Sequence, residues 1–259
     1  MKKDKIIYYH DELNDDFEGK NITPIKIDGN YKYIHKNPLW NLSAAILYRG
    51  ILTPACWLYG KIKFGLKIEN KEILKLCKNS GYFLYINHTQ DLLDVMTPTF
   101  VGFPKRAFVI AHPSNVSMKG LKTIIRMLGA LPIPGDMASS RNFMNAIQQK
   151  INNKNVIAIY PEAHVWPYYT KIRPFKSTSF GYPVEFDAPV FSVTITYQKR
   201  KYRKEPRIVE YIDGPFFPDN SLSKKDAKEK LRNEIYNKMV ERSNNSNIDV
   251  IKYIKESYF

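Results

Sequence analysis

The chain of 259 residues is long enough to bury a sizeable core and suits one α/β domain with extra terminal elements. Its 40 Lys and Arg against 25 Asp and Glu give a formal charge of +15, spread along the chain, so the expected partner is negatively charged: nucleic acid, an anionic bilayer or a phosphorylated small molecule. Cys56 and Cys77 show no ligand spacing and lie in apolar segments, which reads as reduced thiols, and the start of the chain lacks the apolar core of a secretory signal, so a cytoplasmic protein is expected.

Residues 1–38 carry turn signals at Asp28-Gly29-Asn30 and an aromatic pattern around Tyr31 and Tyr33, which predicts short strands or an extended arm. Residues 40–59 form the most hydrophobic stretch. Arg49 at its middle, followed by Gly50 and Pro54, argues against a lone membrane span, and the stretch reads as two short helical pieces. Trp40, Trp57 and Tyr59 near its ends, with Lys61, Lys63 and Lys67 beyond, suit an element lying among lipid headgroups; an ordinary helical hairpin packed on the domain fits as well.

A short helix over 71–79 precedes a buried strand over 82–86. A helix then runs from 92 to 100 and is broken by Pro98 and Pro104. Strands at 107–111 and 130–133 flank a helix over 118–128 closed by Gly129, and a helix over 142–151 leads to the apolar run 156–160. Strands at 189–197 and 207–212 follow. In the C-terminal segment from Ser223 to Arg242, Ala227, Leu231, Ile235 and Met239 recur every four residues, a stripe that buries one helix face and leaves a basic outer one. This alternation predicts a layered α/β sandwich with a mixed, largely parallel central sheet flanked by helices, plus an N-terminal apolar helical element. The expected divisions are an arm over 1–38, a membrane-associating element over 39–68 and the main domain over 69–259.

Two strand ends carry candidate chemistry. The strand over 82–86 runs into Asn87-His88-Thr89-Gln90-Asp91-Leu92-Leu93-Asp94. A neutral imidazole takes a proton near neutral pH, and a carboxylate on its other nitrogen fixes the tautomer; Asp91 or Asp94 supplies that carboxylate, unless His88 merely caps the helix. The second strand end reads Tyr160-Pro161-Glu162-Ala163-His164, followed by a basic segment containing Lys171 and Arg173. Carboxyl ends of strands are where α/β sheets present ligand-binding groups.

Taken in order, these segments resemble the glycerolipid acyltransferase family, which includes 1-acylglycerol-3-phosphate acyltransferases. That family has a histidine, four residues and an aspartate; a Gly-x-x-x-Ile segment with an arginine; Phe-Pro-Glu-Gly-Thr; and an apolar strand containing proline. Here the counterparts are His88 with Asp94, Gly129 to Ile133 with Arg141 downstream, Tyr160-Pro161-Glu162, and Ala188-Pro189-Val190-Phe191. The chain departs from the pattern in three ways. Asp94 stands one residue too far from His88, Ala163 and His164 replace the glycine and threonine, and the motif arginines are displaced or missing.

The resemblance implies transfer of a fatty acyl group from a thioester, acyl-CoA or acyl-ACP, to a glycerol-phosphate-type or lysophospholipid hydroxyl, with no other cofactor and no metal. His88 is then the general base and Asp94 its orienting carboxylate. Glu162 positions the acceptor or anchors its loop, and Arg141, Lys171 and Arg173 are the phosphate candidates. The implied partners are lysophosphatidate or a related lysolipid, the acyl carrier and an anionic membrane surface, with no specific nucleic acid; the implied location is peripheral, on the inner face of the cell membrane. Trp166, Tyr168 and Tyr169 form a packed aromatic loop or a wall beside the acyl chain. Two alternatives stand against this reading: a thioester or ester hydrolase on the same residues, and a non-catalytic basic module binding anionic membrane or RNA.

Overall fold

The computed structural model describes residues 5–17 and 22–256, apart from the side chain of Asp91. The charged first residues, 1–4, lie outside that set. The elements in order are β1 (Lys5–Tyr9), α1 (Pro38–Ala45), α2 (Thr53–Phe64), β2 (Lys67–Glu69), β3 (Tyr82–Ile86), α3 (Asp91–Gly102), β4 (Ala107–Ala111), α4 (Lys122–Met127), β5 (Ala130–Pro132), α5 (Met137–Asn152), β6 (Val156–Ile159), α6 (Gly181–Phe186), β7 (Val190–Gln198), β8 (Arg207–Phe216), α7 (Lys224–Ser243) and β9 (Ile251–Lys255). The main sheet has seven strands in the order β2-β8-β7-β3-β6-β4-β5, and every neighbouring pair is parallel except β7 with β8.

The central strand explains its own sequence. All five side chains of Tyr82–Ile86 are buried because both faces of β3 are covered, so the run is apolar throughout and does not alternate. Phe83 and Tyr85 join Ile157, Ile159, the α5 residues Phe143, Ala146 and Ile147, and Leu231, Ile235 and Met239 of the α7 stripe in one core. Tyr82, Leu84 and Ile86 point the other way, into a core with Val156, Ala158 and the α3 residues Leu93, Met96, Phe100 and Val101. The sheet is therefore sandwiched, with α5 and α7 on one face and α2 and α3 on the other.

Several boundaries move for identifiable reasons. Helix α5 starts at Met137, five residues before its apolar periodicity begins, because Asp136 and Ser139 form a reciprocal capping box at distances of 2.7 and 3.1 Å. Helix α3 continues through Pro98 to Gly102, so that proline does not end it. The expected two helical pieces are one unbroken run: α1 passes through a π-helical stretch, Ile46–Leu52, directly into α2. Pro54, in the first turn of α2, cannot donate to the preceding turn, and the wider π turn lies where that bond is missing. Arg49 is tied to the domain, donating to the carbonyl oxygens of Pro104 and Lys105 at 2.7 and 2.5 Å.

The run leaves Leu39, Leu42, Ile46, Ile51, Leu58 and Ile62 exposed, and no helix among the described residues is long and apolar enough to cross a membrane. The N-terminal arm holds one strand: β1 pairs in parallel with β9, a C-terminal strand that the sequence pattern did not suggest. Around them Tyr9, Phe17 and Tyr253 pack on Trp166 and Tyr169 of the loop after β6, so these aromatics form a packed cluster.

The α7 stripe offers a direct check on the second layer. Ile235 is fully buried against the sheet, and Ile235→Ala is expected to lower unfolding free energy by about 2–5 kcal/mol in urea denaturation.

Candidate active site

Strands β3 and β6 are hydrogen-bonded neighbours, Tyr85 opposite Ile159, so the loops that leave their carboxyl ends lie side by side. His88 is in one loop and Glu162 in the other. Between them the sequence gap is 74 residues, and the sheet closes it: the His88 backbone N–H donates to Glu162 Oε2 at 2.9 Å. Asn87 extends the pairing on the other side of β3, its amide donating to Ile195 O at 3.1 Å and accepting from Ile195 N at 2.7 Å.

His88 Nδ1 meets Asp94 Oδ2 at 2.8 Å. The same oxygen accepts the backbone N–H groups of Thr89 and Gln90, each at 2.8 Å. Burial pushes the Asp94 carboxyl up from the ordinary aspartate value, and the His88 ring with these amides opposes that shift. The extra residue between His88 and Asp94 is absorbed before the helix starts. Thr89 and Gln90 stay outside the helix, Gln90 in an extended conformation, α3 opens at Asp91, and Asp94 turns back toward the loop from the first turn.

Pro98 has a part in this arrangement. A proline inside a helix cannot bond the carbonyl four residues earlier, which here belongs to Asp94. That freed carbonyl accepts the hydroxyl of Tyr160, whose ring stacks on His88 with centroids 4.3 Å apart. Tyr197 completes the support, sharing hydrogen bonds with the Thr89 hydroxyl at 2.8 Å and the Gln90 amide at 3.0 Å. The imidazole is thus held on one face and at Nδ1. Its side chain remains 19% exposed, and Nε2 has no hydrogen-bond partner among the described residues. An imidazole so held can accept a proton at Nε2 while the carboxylate stabilises the resulting cation.

Of the two roles expected for Glu162, its contacts are those of the loop anchor, and Arg173, expected among the phosphate candidates, is buried beside it. Glu162 is buried, and its oxygens accept from His88 N and, at 2.8 Å, from Arg173 N. It is spent on joining the two loops, and has no face left for a substrate hydroxyl. Arg173 is 1% exposed; its guanidinium lies 3.6 Å from Glu162, over the Trp166 ring, and donates to the carbonyls of His164 and Glu12. Burial pushes the Glu162 carboxyl up and the Arg173 guanidinium down, each opposed by the charge of the other. A guanidinium used this way is unavailable to a phosphate. Lys171 is exposed in the same loop, and Arg141 is exposed in the first half of α5.

The sequence reading missed Thr97 and Glu210. Glu210 is buried on β8 and accepts the Thr97 hydroxyl at 2.7 Å, leaving Oε2 without a partner among the described residues. A lone glutamate within an apolar strand was the available signal. Among the described residues no three His, Cys, Asp or Glu side chains gather as a metal site.

The acyltransferase family profile matches residues 65–196, a little over half of the chain, and that span contains both loops. Among solved structures, the 1-acyl-sn-glycerophosphate (LPA) acyltransferase PlsC from Thermotoga maritima is similar in fold, with a TM-score of 0.55 over 83% of this chain and 87% of that one, at 17% identity. A search of curated protein sequences finds no match.

Two measurements probe the site's construction. Burial pushes the Glu210 carboxyl up to about 8, against the Thr97 hydrogen bond and with the help of the Asp94 charge. Folded Glu210 then keeps a proton that the unfolded chain loses at the ordinary glutamate value, so stability falls as pH rises through that window toward 8. The urea midpoint of Glu210→Gln is expected to fall less over that range, with the curves running parallel at the acid end. Ala163, at the family's glycine position, has φ +65°, a left-handed conformation that disfavours a Cβ. Ala163→Gly is expected to raise unfolding free energy by about 1 kcal/mol in the same assay.

Proposed function

The chain belongs to the acyltransferase family, and from that membership we propose that it transfers a fatty acyl group from a thioester, acyl-CoA or acyl-ACP, to the hydroxyl of a glycerol-phosphate-type or lysophospholipid acceptor. The observation that carries the reading is the 2.8 Å bond between His88 Nδ1 and Asp94 with Nε2 left open. His88 Nε2 takes the acceptor's hydroxyl proton as that oxygen attacks the thioester carbonyl carbon. The tetrahedral intermediate collapses by breaking the C–S bond, and the leaving thiolate recovers the proton from the imidazolium. Asp94 orients the ring and stabilises its cationic form; no acyl-enzyme is needed.

A phosphate on the acceptor would meet Lys171 or Arg141, the exposed members of the basic set. The reading includes a peripheral position on the inner face of the cell membrane. Its support is the exposed apolar side chains of the α1–α2 run, the outward Leu92 and Val95 of α3, and the basic excess of the chain. Helix α2 packs on α3, so this apolar surface adjoins the helix that carries Asp94.

The test is acyl transfer from a radiolabelled long-chain thioester to glycerol 3-phosphate, lysophosphatidate and lysophospholipids. His88→Ala is expected to lower kcat by about 10² to 10⁴ while the protein stays folded by circular dichroism, and Asp94→Asn to lower activity in the same direction. Release of free fatty acid without acylated product would replace this reading with a hydrolase. An active His88→Ala enzyme would remove the histidine from the mechanism.

A further inference from the structure

A cavity of about 110 Å³ opens at the end of the sheet opposite His88. Arg106, just before β4, and Lys150, in the last turn of α5, line it together with Arg126 of α4, and Trp40 and Tyr31 form part of its wall. The register places Ala107 and Tyr82 both opposite Val156, so Arg106 lies level with the start of β3. His88 is six residues further along that strand, about 20 Å away.

The lining contains cations and no carboxylate. Lys150 is only 8% exposed, yet its ammonium has no hydrogen-bond or ion-pair partner among the described residues; the Phe108 ring lies 4.2 Å from it. Arg106 Nε and Arg126 Nε are buried without acceptors, although each guanidinium donates once to a carbonyl, of Met127 at 2.9 Å and of Lys32 at 3.4 Å. Burial and the neighbouring Arg106 charge push Lys150 down to about 8. Cations held together without counter-charge raise one another's cost, and a bound anion relieves it. Two guanidinium donors plus an ammonium suit the tetrahedral oxygens of a phosphate.

We propose that the Arg106–Arg126–Lys150 cavity is a phosphate-binding site separate from His88, filled by the phosphate of a free small molecule or of a lipid headgroup. The cavity has room for a phosphoryl group and a few attached atoms. The start of α1, with exposed Leu39 and Leu42, is next to it, which leaves both sources sterically open.

Isothermal titration of the purified full chain with inorganic phosphate tests the site without reference to acyl transfer. Wild type is expected to bind, and Lys150→Met to bind about ten- to a hundredfold more weakly. Because that change removes an unpaired buried cation, its melting temperature without phosphate is expected to equal or exceed that of wild type. Arg126→Gln, at a less buried position, provides the same test should Lys150→Met misfold. Lys225→Met, which removes a charge from the exposed start of α7, is expected to bind as wild type. Sedimentation with phosphatidylcholine vesicles, with and without phosphatidic acid, separates the sources. A headgroup ligand predicts binding that needs phosphatidic acid, is competed by inorganic phosphate and is weakened by Lys150→Met but not Lys225→Met; a soluble ligand predicts the titration result alone. No phosphate binding by wild type, or equal binding by Lys150→Met and Arg126→Gln, overturns the site.

Discussion

Two loops leave adjacent parallel strands with backbone N–H groups that no ladder can satisfy, and the buried carboxylate of Glu162 accepts from both. Its bonds to His88 N and Arg173 N set the distance between the loops, and Arg173 supplies the counter-charge that lets the carboxylate stay in the interior. A buried pair of this kind adds little net stability, but losing one partner typically costs about 3–5 kcal/mol because the other charge is stranded. Its value here is positional. The bridge acts together with the backbone bonds from Trp166 N to His88 O at 3.1 Å and from Tyr168 N to Thr89 O at 2.9 Å, which tie the same two loops.

The imidazole is then held by a second set of contacts, and each uses a group that regular structure has released. Asp94 reaches His88 because Thr89 and Gln90 stay outside the helix and aim their N–H groups at its carboxylate. Tyr160 can bond the Asp94 carbonyl because Pro98 offers that carbonyl no N–H. The residue that looked like a helix breaker thus ties the helix to the strand beside it. The termini add a further clamp: Arg173 and Trp166 donate to the carbonyls of Glu12 and Asp15, and Tyr253 donates to Pro167 O. The loop behind the site is braced by both ends of the chain.

The two ends of the sheet use charge differently. At the carboxyl ends of β3 and β6 the buried carboxylates are met by N–H donors, an arginine and an imidazole. At the amino ends of β4 and β5, Arg106, Arg126 and Lys150 face a cavity that no carboxylate lines. Low dielectric magnifies both arrangements, which is why one holds a geometry and the other calls for an anion.

The amino-acid sequence by itself determined the layers. Strands β3 and β4 stand where continuous apolar runs predict them, and the four-residue stripe of α7 is buried as its spacing requires, because burial is encoded locally by period and composition. It also singled out the histidine, the aspartates and the glutamate at strand ends. What it did not carry is partner choice. Whether Glu162 faces a substrate or the backbone, whether Arg173 is free or spent, and which strand β1 pairs with depend on contacts between residues far apart in the chain. Such contacts leave no periodic trace. Glu210 was invisible for the same reason: a single carboxylate in an apolar strand acquires its meaning only when the sheet places it beside Thr97 and near Asp94.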